Sequence, residues 1–473
     1  MTALERVPTG IPGLDLLTRG GIPKHRATLI TGRSGTGKSV LCLQLACTLA
    51  RAGMKVLIIA AEEAASDLST TGDAMDFGFS ELSERGLLRV ADFTPTDDPE
   101  PQISGDYDIS GLIHRIRGEA ESKGLDVVVI DSFTALFGHR ASEDQLRQLF
   151  LQLVCFLRKH EITAVITAGA RDDYGALTAL GVEDFVCDLV ITLRNTHDGE
   201  RRRRSIEIHK YRRSGHYKGE YSCAITTHGI SVFPLDPSER AVANATDRFS
   251  SGVEGLDRVN AGGWLRDSLV LVRGPTGSGK TILASMYARA GVLRGERVIF
   301  YGFEEPRGIL FRNLAQIGLG FEELARTERL RVRCRFPDAT SPEDLLIELR
   351  VELETFQPSL VVIDSVSALE HASSAQSFRL FMVGLASLLR QYGQSALLTQ
   401  TVRPHDEAKP AAYLSTIADS IVMLDYTTGE VELLRSMRVL KMRGSAHSTR
   451  RHALHLGPEG LVIDAGDPRS ARA

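Results

Sequence analysis

An internal repeat constrains the fold of this chain more than any other feature of its sequence. The stretch TGIPGLDLLTRGG at 9–21 returns as SGVEGLDRVNAGG at 251–263, and GRSGTGKS at 32–39 returns as GPTGSGKT at 274–281. Both pairs are displaced by 242 residues. A period of this length predicts two whole domains rather than a solenoid of small stacked units.

The displacement between the two copies shrinks along the chain. It falls to 233 residues between Asp131 in VVVIDS and Asp364 in LVVIDS, as loops of unequal length produce in duplicated domains. The stretch FPLDPSERAVANATDR at 233–248 combines proline with charged residues, which is typical of a linker between domains. We therefore predict one domain over 1–240 and a second over 241–473.

Composition excludes several classes of protein. Of the 473 residues, 43% are hydrophobic and 25% are charged, which excludes a disordered or fibrous chain. The 56 Lys and Arg against 60 Asp and Glu give a formal net charge of -4, which counts against a broad basic surface for nucleic acid. The sequence has neither a signal-like N-terminus nor an apolar run of the roughly 18 to 20 residues that span a bilayer, so we expect a cytoplasmic protein without membrane contact.

The cysteines give no sign of a metal or redox site. They are scattered, mostly in apolar stretches, and form no C-x-x-C pair. We expect them to be reduced core residues. The six are Cys42, Cys47, Cys155, Cys187, Cys223 and Cys334.

Within each half, short apolar segments alternate with longer amphipathic ones. ATLITG, VLIIAA and DVVVIDS are typical of buried strands, whereas EDQLRQLFLQLVCFLRKH is typical of a helix. This alternation predicts an α/β fold in which helices cover both faces of a mostly parallel sheet. Each half then ends in two strand-like runs joined by a turn, at Asp198-Gly199 and at Thr428-Gly429. These runs predict an antiparallel edge in both halves.

The pattern G-x-x-x-x-G-K-[ST] occurs in each half between a predicted strand and a predicted helix. In that context it is a phosphate-binding loop, because glycines let backbone N–H groups surround the phosphates, the lysine reaches the outer phosphates and the hydroxyl binds Mg²⁺. Two matches at equivalent places of a repeat disfavour the alternative of an ordinary glycine-rich turn. The predicted nucleotide-binding residues are Gly35, Thr36, Gly37, Lys38 and Ser39, and then Gly277, Ser278, Gly279, Lys280 and Thr281.

An aspartate ends an apolar strand in each half. From the ends of these strands, Asp131 and Asp364 could reach Mg²⁺ or a water bound to it. The alternative is a surface carboxylate that caps the next element. We predict Mg²⁺ sites formed by Ser39 with Asp131 and by Thr281 with Asp364.

Two adjacent acids follow another apolar strand in each half. Glu62-Glu63 and Glu304-Glu305 should emerge at the same edge of the sheet as the phosphate-binding loop. There an acid could polarise a water, or accept a proton from a hydroxyl, in line with the γ-phosphate. A solvated acidic turn is the alternative. We take all four glutamates as catalytic candidates.

Basic residues mark the last part of each half. Lys210 and Arg212, like Lys441 and Arg443, alternate along a predicted strand, so the two cations of each pair should face the same side. At a subunit boundary they could reach a neighbour's nucleotide, as trans-acting arginine fingers do, or they could form a solvated basic face. The run at 201–204 could meet phosphates or nucleic acid, or could lie in solvent or in an interface.

With these residues identified, nearly the whole chain resembles the KaiC family of circadian-clock ATPases, a tandem duplication within the RecA-like superfamily. The most specific stretch in the first half is YGALTALGVEDFVCDLVITLRNTHDGERRRRSIEIHKYRRSGHYKGEYSCAITTHGISVFPL. In the second half, YLSTIADSIVMLDY and VLKMRGSAHS carry the resemblance. A recombinase or a bacterial RadA protein would share the Walker motifs but not these segments. The resemblance implies two RecA-like P-loop NTPase domains in a double-ring homohexamer, with ATP between neighbouring subunits in both rings.

The resemblance also implies a role for each domain. In the first, Glu62 would be the base for slow ATP hydrolysis, with Glu63 beside it. Nucleotide contacts across the interface would come from Lys210, Arg212 and His216.

In the second domain, Glu304 would be the base for Ser/Thr autokinase chemistry. The family's phosphorylated Ser and Thr match Ser415 and Thr416, which we expect in a polar loop before a strand, and phosphate there would add about -1.5 to -2 charge near an interface. The residues that approach the neighbour's nucleotide would be Lys441, Arg443, Ser445 and His447.

Two features depart from the family pattern. Arg213 stands where the family commonly has glycine after Lys-x-Arg, which affects the detail of the first-domain interface. Only a short segment follows the last predicted strand, whereas the clock proteins carry a longer tail that recruits KaiA, and this counts against regulation by a KaiA-like partner. The resemblance still allows a KaiB-like partner, in a non-clock or simplified timing system.

Three functions are therefore compared. The first is a hexameric ATPase and serine/threonine autokinase. The second is a RecA/RadA-like DNA-dependent ATPase, which the net charge disfavours. The third is a signalling scaffold in which ATP only holds the ring together, which the acid pairs in both halves disfavour.

Overall fold

The computed structural model describes residues 4–94, 109–137, 142–178, 186–198, 201–234, 247–336, 341–402, 412–428, 433–458 and 460–465. The chain divides into two compact units, Met1–Pro234 and Leu235–Ala473. The predicted boundary between residues 240 and 241, Gly199 and Gly429 of the predicted turns, and the C-terminal segment lie outside the described residues.

The first unit alternates helices and strands. Its helices are α1 (Leu14–Leu17), α2 (Lys38–Arg51), α3 (Ala65–Ala74), α4 (Phe79–Glu84), α5 (Ile109–Lys123), α6 (Phe133–Phe137) and α7 (Glu143–Lys159). Its strands are β1 (Arg6–Val7), β2 (Ile22–Pro23), β3 (Ala27–Gly32), β4 (Val56–Ala60), β5 (Leu88–Asp92), β6 (Val127–Asp131), β7 (Thr163–Gly169), β8 (Leu189–Asp198), β9 (Arg201–Tyr211), β10 (Glu220–Thr226) and β11 (Gly229–Val232).

In the described part of this unit, nine strands form one sheet in the order β11-β10-β9-β8-β3-β7-β6-β4-β5. The pairs from β8 to β5 are parallel, and β8, β9, β10 and β11 pair antiparallel. The predicted parallel sheet with an antiparallel edge is confirmed. Since β3, β7, β6 and β4 are parallel neighbours, their carboxyl ends meet at one edge.

Both faces of this sheet are buried, as its continuous apolar strands predict. Along β6, Val127 and Val129 pack with α2, α3 and α4 on one face. Val128 and Ile130 pack with α5, α6 and α7 on the other face. The sheet therefore lies between two hydrophobic cores.

The second unit repeats this plan. Its helices are α8 (Glu254–Val259), α9 (Lys280–Leu293), α10 (Arg307–Ala315), α11 (Phe321–Ala325), α12 (Pro342–Thr355), α13 (Val366–His371), α14 (Ala375–Gln391) and α15 (Ala412–Ile417). Its strands are β12 (Arg248–Phe249), β13 (Trp264–Leu265), β14 (Leu269–Gly274), β15 (Val298–Gly302), β16 (Leu330–Cys334), β17 (Leu360–Asp364), β18 (Ser395–Thr401), β19 (Ser420–Thr428), β20 (Leu433–Met442), β21 (His452–Gly457) and β22 (Gly460–Ile463).

The described strands of the second unit form a sheet in the order β16-β15-β17-β18-β14-β19-β20-β21-β22. Its pairs from β16 to β19 are parallel, and those from β19 to β22 are antiparallel. This is the topology of the first unit, so the sequence repeat is a repeat of whole folds.

Helix starts follow local sequence signals. Ser142 caps α7 and forms a capping box with Gln145, and Ser341 caps α12 in the same way with Asp344. In such a box, each side chain accepts a hydrogen bond from the other residue's backbone N–H, so two otherwise unpaired donors are satisfied.

Each antiparallel edge buries one charged side chain. In the first unit, Arg194 on β8 lies 2.7 Å from Glu207 on β9 and 3.9 Å from Glu220 on β10. Burial of the Arg194 side chain is nearly complete, with 7% exposed. Such a buried cation is tolerated only when acids surround it.

The second unit has the opposite arrangement at this place. Asp425 on β19, with 5% of its side chain exposed, lies 3.5 Å from Arg438 on β20 and 3.7 Å from Arg451 just before β21. Here two cations surround a buried acid.

The cysteine prediction is only partly right. All six thiols are free, and Cys42, Cys47, Cys187 and Cys223 are buried. Cys155, however, is exposed on α7, because the helix turns this position away from the sheet. None of the helices in the described ranges meets the length and apolarity that a membrane span requires.

Candidate functional site

Each phosphate-binding loop joins the central parallel strand to the helix that follows it. α2 begins at Lys38 and α9 at Lys280, so their first turns point backbone N–H groups at the loop. Gly37 and Gly279 directly precede these helices. Their φ angles are 105° and 104°, a backbone conformation that residues with a Cβ atom disfavour. A Cβ at Gly35 would meet nothing within 4 Å, so this loop is open at that residue, whereas a Cβ at the equivalent Gly277 would lie 2.8 Å from the Tyr426 hydroxyl.

The loop lysines are held in place by the loops themselves. Lys38 Nζ donates to the Arg33 carbonyl at 3.0 Å, and Lys280 Nζ donates to the Pro275 carbonyl at 2.9 Å. Burial lowers the pKa of both ammonium groups, and nearby acids oppose this shift. Each ammonium is thus positioned for an anion that compensates its burial.

The strand-ending aspartates lie beside the loop hydroxyls. The Ser39 hydroxyl interacts with Asp131 and opposes the rise that burial causes in its pKa, and the Thr281 hydroxyl does the same to Asp364, so each loop hydroxyl lies near its aspartate. A second hydroxyl supports each carboxylate: Thr167 Oγ1 on β7 donates to Asp131 Oδ1 at 2.7 Å.

In the second domain, Thr399 on β18 donates to Asp364 Oδ1. Burial raises the pKa of Asp131, and it raises the pKa of Asp364 to about 6. The described residues hold no cluster of three or more His, Cys, Asp or Glu side chains arranged for a metal. One hydroxyl and one carboxylate suit Mg²⁺, which takes its other ligands from waters and phosphate oxygens.

The two glutamates of each acidic pair have different surroundings. Glu304 Oε1 accepts a hydrogen bond from Ser365 Oγ at 2.6 Å, whereas Glu305 Oε2 accepts one from Asn313 Nδ2 on α10 at 3.0 Å. Glu304 also interacts electrostatically with Lys280 and Asp364. The first acid of this pair therefore lies near the lysine and the aspartate, whereas the second is bound to α10.

In the first domain the first acid again lies near the loop lysine and the aspartate, although the second acid also interacts with that aspartate. Glu62 interacts electrostatically with Lys38 and Asp131. Burial raises the pKa of Glu63, and the charges of Asp131, Asp67 and Glu62 raise it further. Loop lysine, loop hydroxyl, strand-ending aspartate and first glutamate thus converge at one edge of each sheet.

The basic residues lie at the end of the antiparallel edge strand. β9 ends at Tyr211 and β20 at Met442, so Lys210 and Lys441 lie on strands while Arg212 and Arg443 directly follow them. The backbone N–H groups of these arginines donate to the carbonyls of Asp188 and Asp419.

In the second domain, both cations reach α15 and the residue after it. Lys441 Nζ donates to the carbonyls of Ser415 and Ala418, the latter at 2.7 Å. Arg443 donates to the Thr416 carbonyl at 2.9 Å. These cations interact with the carbonyl end of a helix, which favours positive charge.

The remaining predicted residues lie in the following turns. Ser445 Oγ accepts a hydrogen bond from Arg248. Nδ1 of His216 and Nδ1 of His447 are buried without a hydrogen-bond partner in the described part of the chain. Burial lowers the pKa of His216, as do the charges of Lys218 and Arg19. Among the described hydrogen bonds and ion pairs, none links Ser445 or His447 to the phosphate-binding loop of their own domain.

The predicted phosphorylation residues lie on a helix rather than in a loop. Ser415 and Thr416 belong to α15, in which Leu414 and Ile417 are buried. Apolar residues three apart share one helix face, and packing of that face is what forms the helix. Ser415 is half-buried and Thr416 is exposed.

Sequence reasoning missed several residues of the site. They are Thr167 and Thr399, the hydroxyls on the aspartates, and Ser365, which contacts Glu304. The two threonines stand at matching positions of the repeat, TAVITAG and SALLTQT, which is the signal that could have revealed them.

Comparison with known proteins identifies the family of this chain. The family profile described as "ATPase: KaiC" matches residues 7–237 and again 249–467. The circadian clock oscillator protein KaiC of Picosynechococcus sp. (strain PCC 7002) is 37% identical over 463 residues, covering 97% of this chain and 90% of the relative. The circadian clock protein KaiC3 of Synechocystis sp. (strain PCC 6803) is 36% identical over 464 residues, covering 97% and 92%. The chain therefore belongs to the KaiC family and carries two of its ATPase domains.

Proposed function

We propose that the first domain hydrolyses ATP slowly and that the second transfers the γ-phosphoryl group of ATP to Ser415 or Thr416. The chain would act as a homohexameric timing or signalling ATPase, with a KaiB-like protein as its partner. The observation that carries this proposal is the convergence, in both domains, of a loop lysine, a loop hydroxyl, a buried aspartate and one glutamate.

In the first domain, ATP phosphates bind the N–H groups that begin α2 and the ammonium of Lys38. Glu62 orients a water in line with the γ-phosphorus and accepts its proton. The water oxygen bonds to phosphorus, the bond to the β-phosphate oxygen breaks, and ADP and phosphate are released. Placement of Glu62 beside Lys38 and Asp131 supports this role.

In the second domain, a hydroxyl takes the place of the water. The hydroxyl oxygen of Ser415 or Thr416 bonds to the γ-phosphorus, Glu304 accepts the proton, and ADP leaves. Since Ser365 holds one oxygen of Glu304, the other carboxylate oxygen remains for the substrate hydroxyl.

Mg²⁺, held by Ser39 with Asp131 and by Thr281 with Asp364, would neutralise charge on the β- and γ-phosphate oxygens. The interaction of each loop hydroxyl with its aspartate supports these assignments. Both side chains of each pair therefore lie at the end of the site where the phosphates would bind.

We propose that acceptor and nucleotide belong to neighbouring subunits. Lys441 and Arg443 bind the helix that carries Ser415 and Thr416, so cations and acceptors form one surface. Apposed to a neighbour's γ-phosphate, this surface brings positive charge and a nucleophile together. The equivalent contacts in the first domain would come from Lys210, Arg212 and His216.

The test is mass spectrometry of the purified chain after incubation with Mg-ATP. We expect phosphate on the peptide that holds Ser415 and Thr416, and none in the Ser415→Ala/Thr416→Ala variant. Glu304→Gln should lower incorporation at least about 100-fold, and Glu305→Gln should have a smaller effect because Glu305 faces Asn313. ATP hydrolysis without any phosphorylated peptide would contradict the autokinase assignment.

The RecA/RadA-like alternative makes a different prediction. A DNA-dependent ATPase would bind DNA with an affinity that falls steeply as salt rises, and DNA would stimulate its hydrolysis. The net charge of -4 disfavours this alternative. Fluorescence anisotropy with a labelled oligonucleotide at two salt concentrations separates the two.

A further inference from the structure

The serine after the buried aspartate of the second domain is fully buried and contacts the glutamate. Ser365 is 0% exposed, and its Oγ donates to Glu304 Oε1 at 2.6 Å. A second hydroxyl lies two residues on, but Ser367 Oγ accepts from the Thr401 N–H at 2.7 Å and lies 3.4 Å from the Thr401 carbonyl. Because Ser367 is bound to β18, the hydroxyl of Ser365 is the one directed at the glutamate.

The first domain uses the equivalent serine differently. Ser132 stands 233 residues before Ser365 and is also buried, but its Oγ lies 3.2 Å from Thr134 Oγ1. Thr134 occupies the position of Ser367. Among the hydrogen bonds of the described residues, none joins Ser132 to Glu62. The two sites thus share the same residue types but differ in what fixes the glutamate.

We propose that Ser365 is a positioning residue of the second domain, which orients the Glu304 carboxylate toward an acceptor hydroxyl. This inference rests on the proposed phosphoryl transfer and adds to it the residue that fixes the base. Ser365 is not itself the base; it acts through its hydrogen bond to Glu304.

The physical reason is the freedom of an exposed glutamate. Glu304 lies at the surface on an irregular turn after β15, so its side-chain torsions are not limited by packing. A buried serine on the adjacent strand end supplies a donor that cannot itself move, and a charge-assisted hydrogen bond of this kind is among the stronger ones. Proton transfer requires the base within hydrogen-bond reach of the hydroxyl, so lost orientation lowers the rate without weakening ATP binding.

The experiment compares Ser365→Ala, Ser365→Thr and Ser367→Ala in the full chain, under single-turnover conditions with Mg-ATP. Phosphate on the Ser415–Thr416 peptide gives the transfer rate, and a fluorescent ATP analogue gives the nucleotide Kd. We expect Ser365→Ala to slow transfer about tenfold with Kd unchanged, and Ser365→Thr, which keeps the hydroxyl, to recover most of the rate.

Ser367→Ala is the matched control, because it removes a buried hydroxyl two residues further on, in α13, without touching Glu304. Equal losses in Ser365→Ala and Ser367→Ala, or a change in Kd that accounts for the loss, would mean that Ser365 is merely structural. In a Glu304→Gln background, Ser365→Ala should add little further loss, since the two residues act as one unit.

Failure of the proposed function has a different signature. If the unsubstituted chain incorporates no phosphate, the comparison is repeated on ATP hydrolysis in a Lys38→Ala background, which leaves the second domain as the source of turnover. A tenfold loss in Ser365→Ala there supports the positioning role although the autokinase proposal is wrong. Unchanged hydrolysis in Ser365→Ala overturns the positioning role.

Discussion

Arg194 and Asp425 occupy equivalent positions of the two edge hairpins and carry opposite charges. They are 231 residues apart, and so are Glu207 and Arg438, and Glu220 and Arg451. Each of the two central residues pairs across the hairpin with a serine, Ser205 or Ser436. The duplicated fold thus keeps a buried ion triad while inverting its sign.

This inversion leads to a prediction on stability. Replacing Arg194 with Met leaves two partly buried acids without their cation, which we expect to destabilise the first domain by about 3 kcal/mol. Urea unfolding, combined with hydrogen exchange of the β8 and β9 peptides, measures the loss. Arg202→Met, an exposed arginine on the same hairpin, should change stability by less than about 0.5 kcal/mol.

The inverted triad is the decisive control. The triple variant Arg194→Asp/Glu207→Arg/Glu220→Arg recreates the charges of the second domain and should recover most of the stability. If it unfolds as readily as Arg194→Met, charge pairing is not what stabilises this hairpin.

A second prediction concerns the residue after each basic strand end. Arg213 has a φ of 61°, and Gly444 at the equivalent position has a φ of 68°. The first domain therefore keeps the left-handed backbone of Gly444 with a residue that disfavours it, at a cost of about 1 kcal/mol.

Gly444→Ala should accordingly destabilise the second domain by about 1 kcal/mol. An added Cβ would lie 3.6 Å from Leu265 and so would not clash, and the cost would come from the left-handed backbone conformation alone. Arg213→Gly should stabilise the first domain by less than about 1 kcal/mol, because the glycine also increases the conformational entropy of the unfolded chain. Thermal unfolding of both variants checks the pair. Stability changes of the same sign would contradict the explanation by backbone conformation.

A third prediction follows from the buried Asp364. Its pKa is about 6 in the folded chain, against about 3.9 for an unfolded aspartate. Between these two pH values the folded state binds more protons at this group than the unfolded state does, so its contribution to the free energy of unfolding falls as pH rises.

In metal-free buffer without nucleotide, Asp364→Asn removes this dependence. The stability of the variant relative to the unsubstituted chain should therefore rise between pH 4 and 6, by on the order of 2 kcal/mol, and stay constant above. Urea unfolding at several pH values measures the difference. A difference that does not vary with pH would show that Asp364 titrates normally.

A fourth prediction addresses the proposed transfer between subunits. Lys280→Ala should abolish nucleotide binding in the second domain while its Ser415 and Thr416 stay intact. Ser415→Ala/Thr416→Ala should bind ATP but lack acceptors. Each variant alone should stay unphosphorylated, whereas mixed assemblies should carry phosphate on the Lys280→Ala chain.

Mass spectrometry distinguishes the two chains by their altered peptides. If neither chain of a mixed assembly is phosphorylated while the unsubstituted protein is, acceptor and nucleotide belong to the same subunit.

Much of the fold was predictable because its signals are local. The apolar runs, the helix caps at Ser142 and Ser341 and the phosphate-binding loops are each encoded within a few residues, and the repeat doubled every observation. Parallel strand order then brings the ends of β3, β4 and β6 together, so the loop, the first acids and the aspartates could be expected at one edge.

Other features needed the tertiary structure. Glu304 and Glu305 are chemically identical neighbours on an irregular turn, where no periodicity tells which one faces the lysine; only the positions of Ser365 and Asn313 decide it. Ser415 and Thr416 form a helix because Leu414 and Ile417 find a core to pack against. By itself, then, the sequence determined the two domains and their phosphate-binding loops, since these depend on backbone pattern. Which side chains share a hydrogen bond was decided by contacts between residues far apart in the chain.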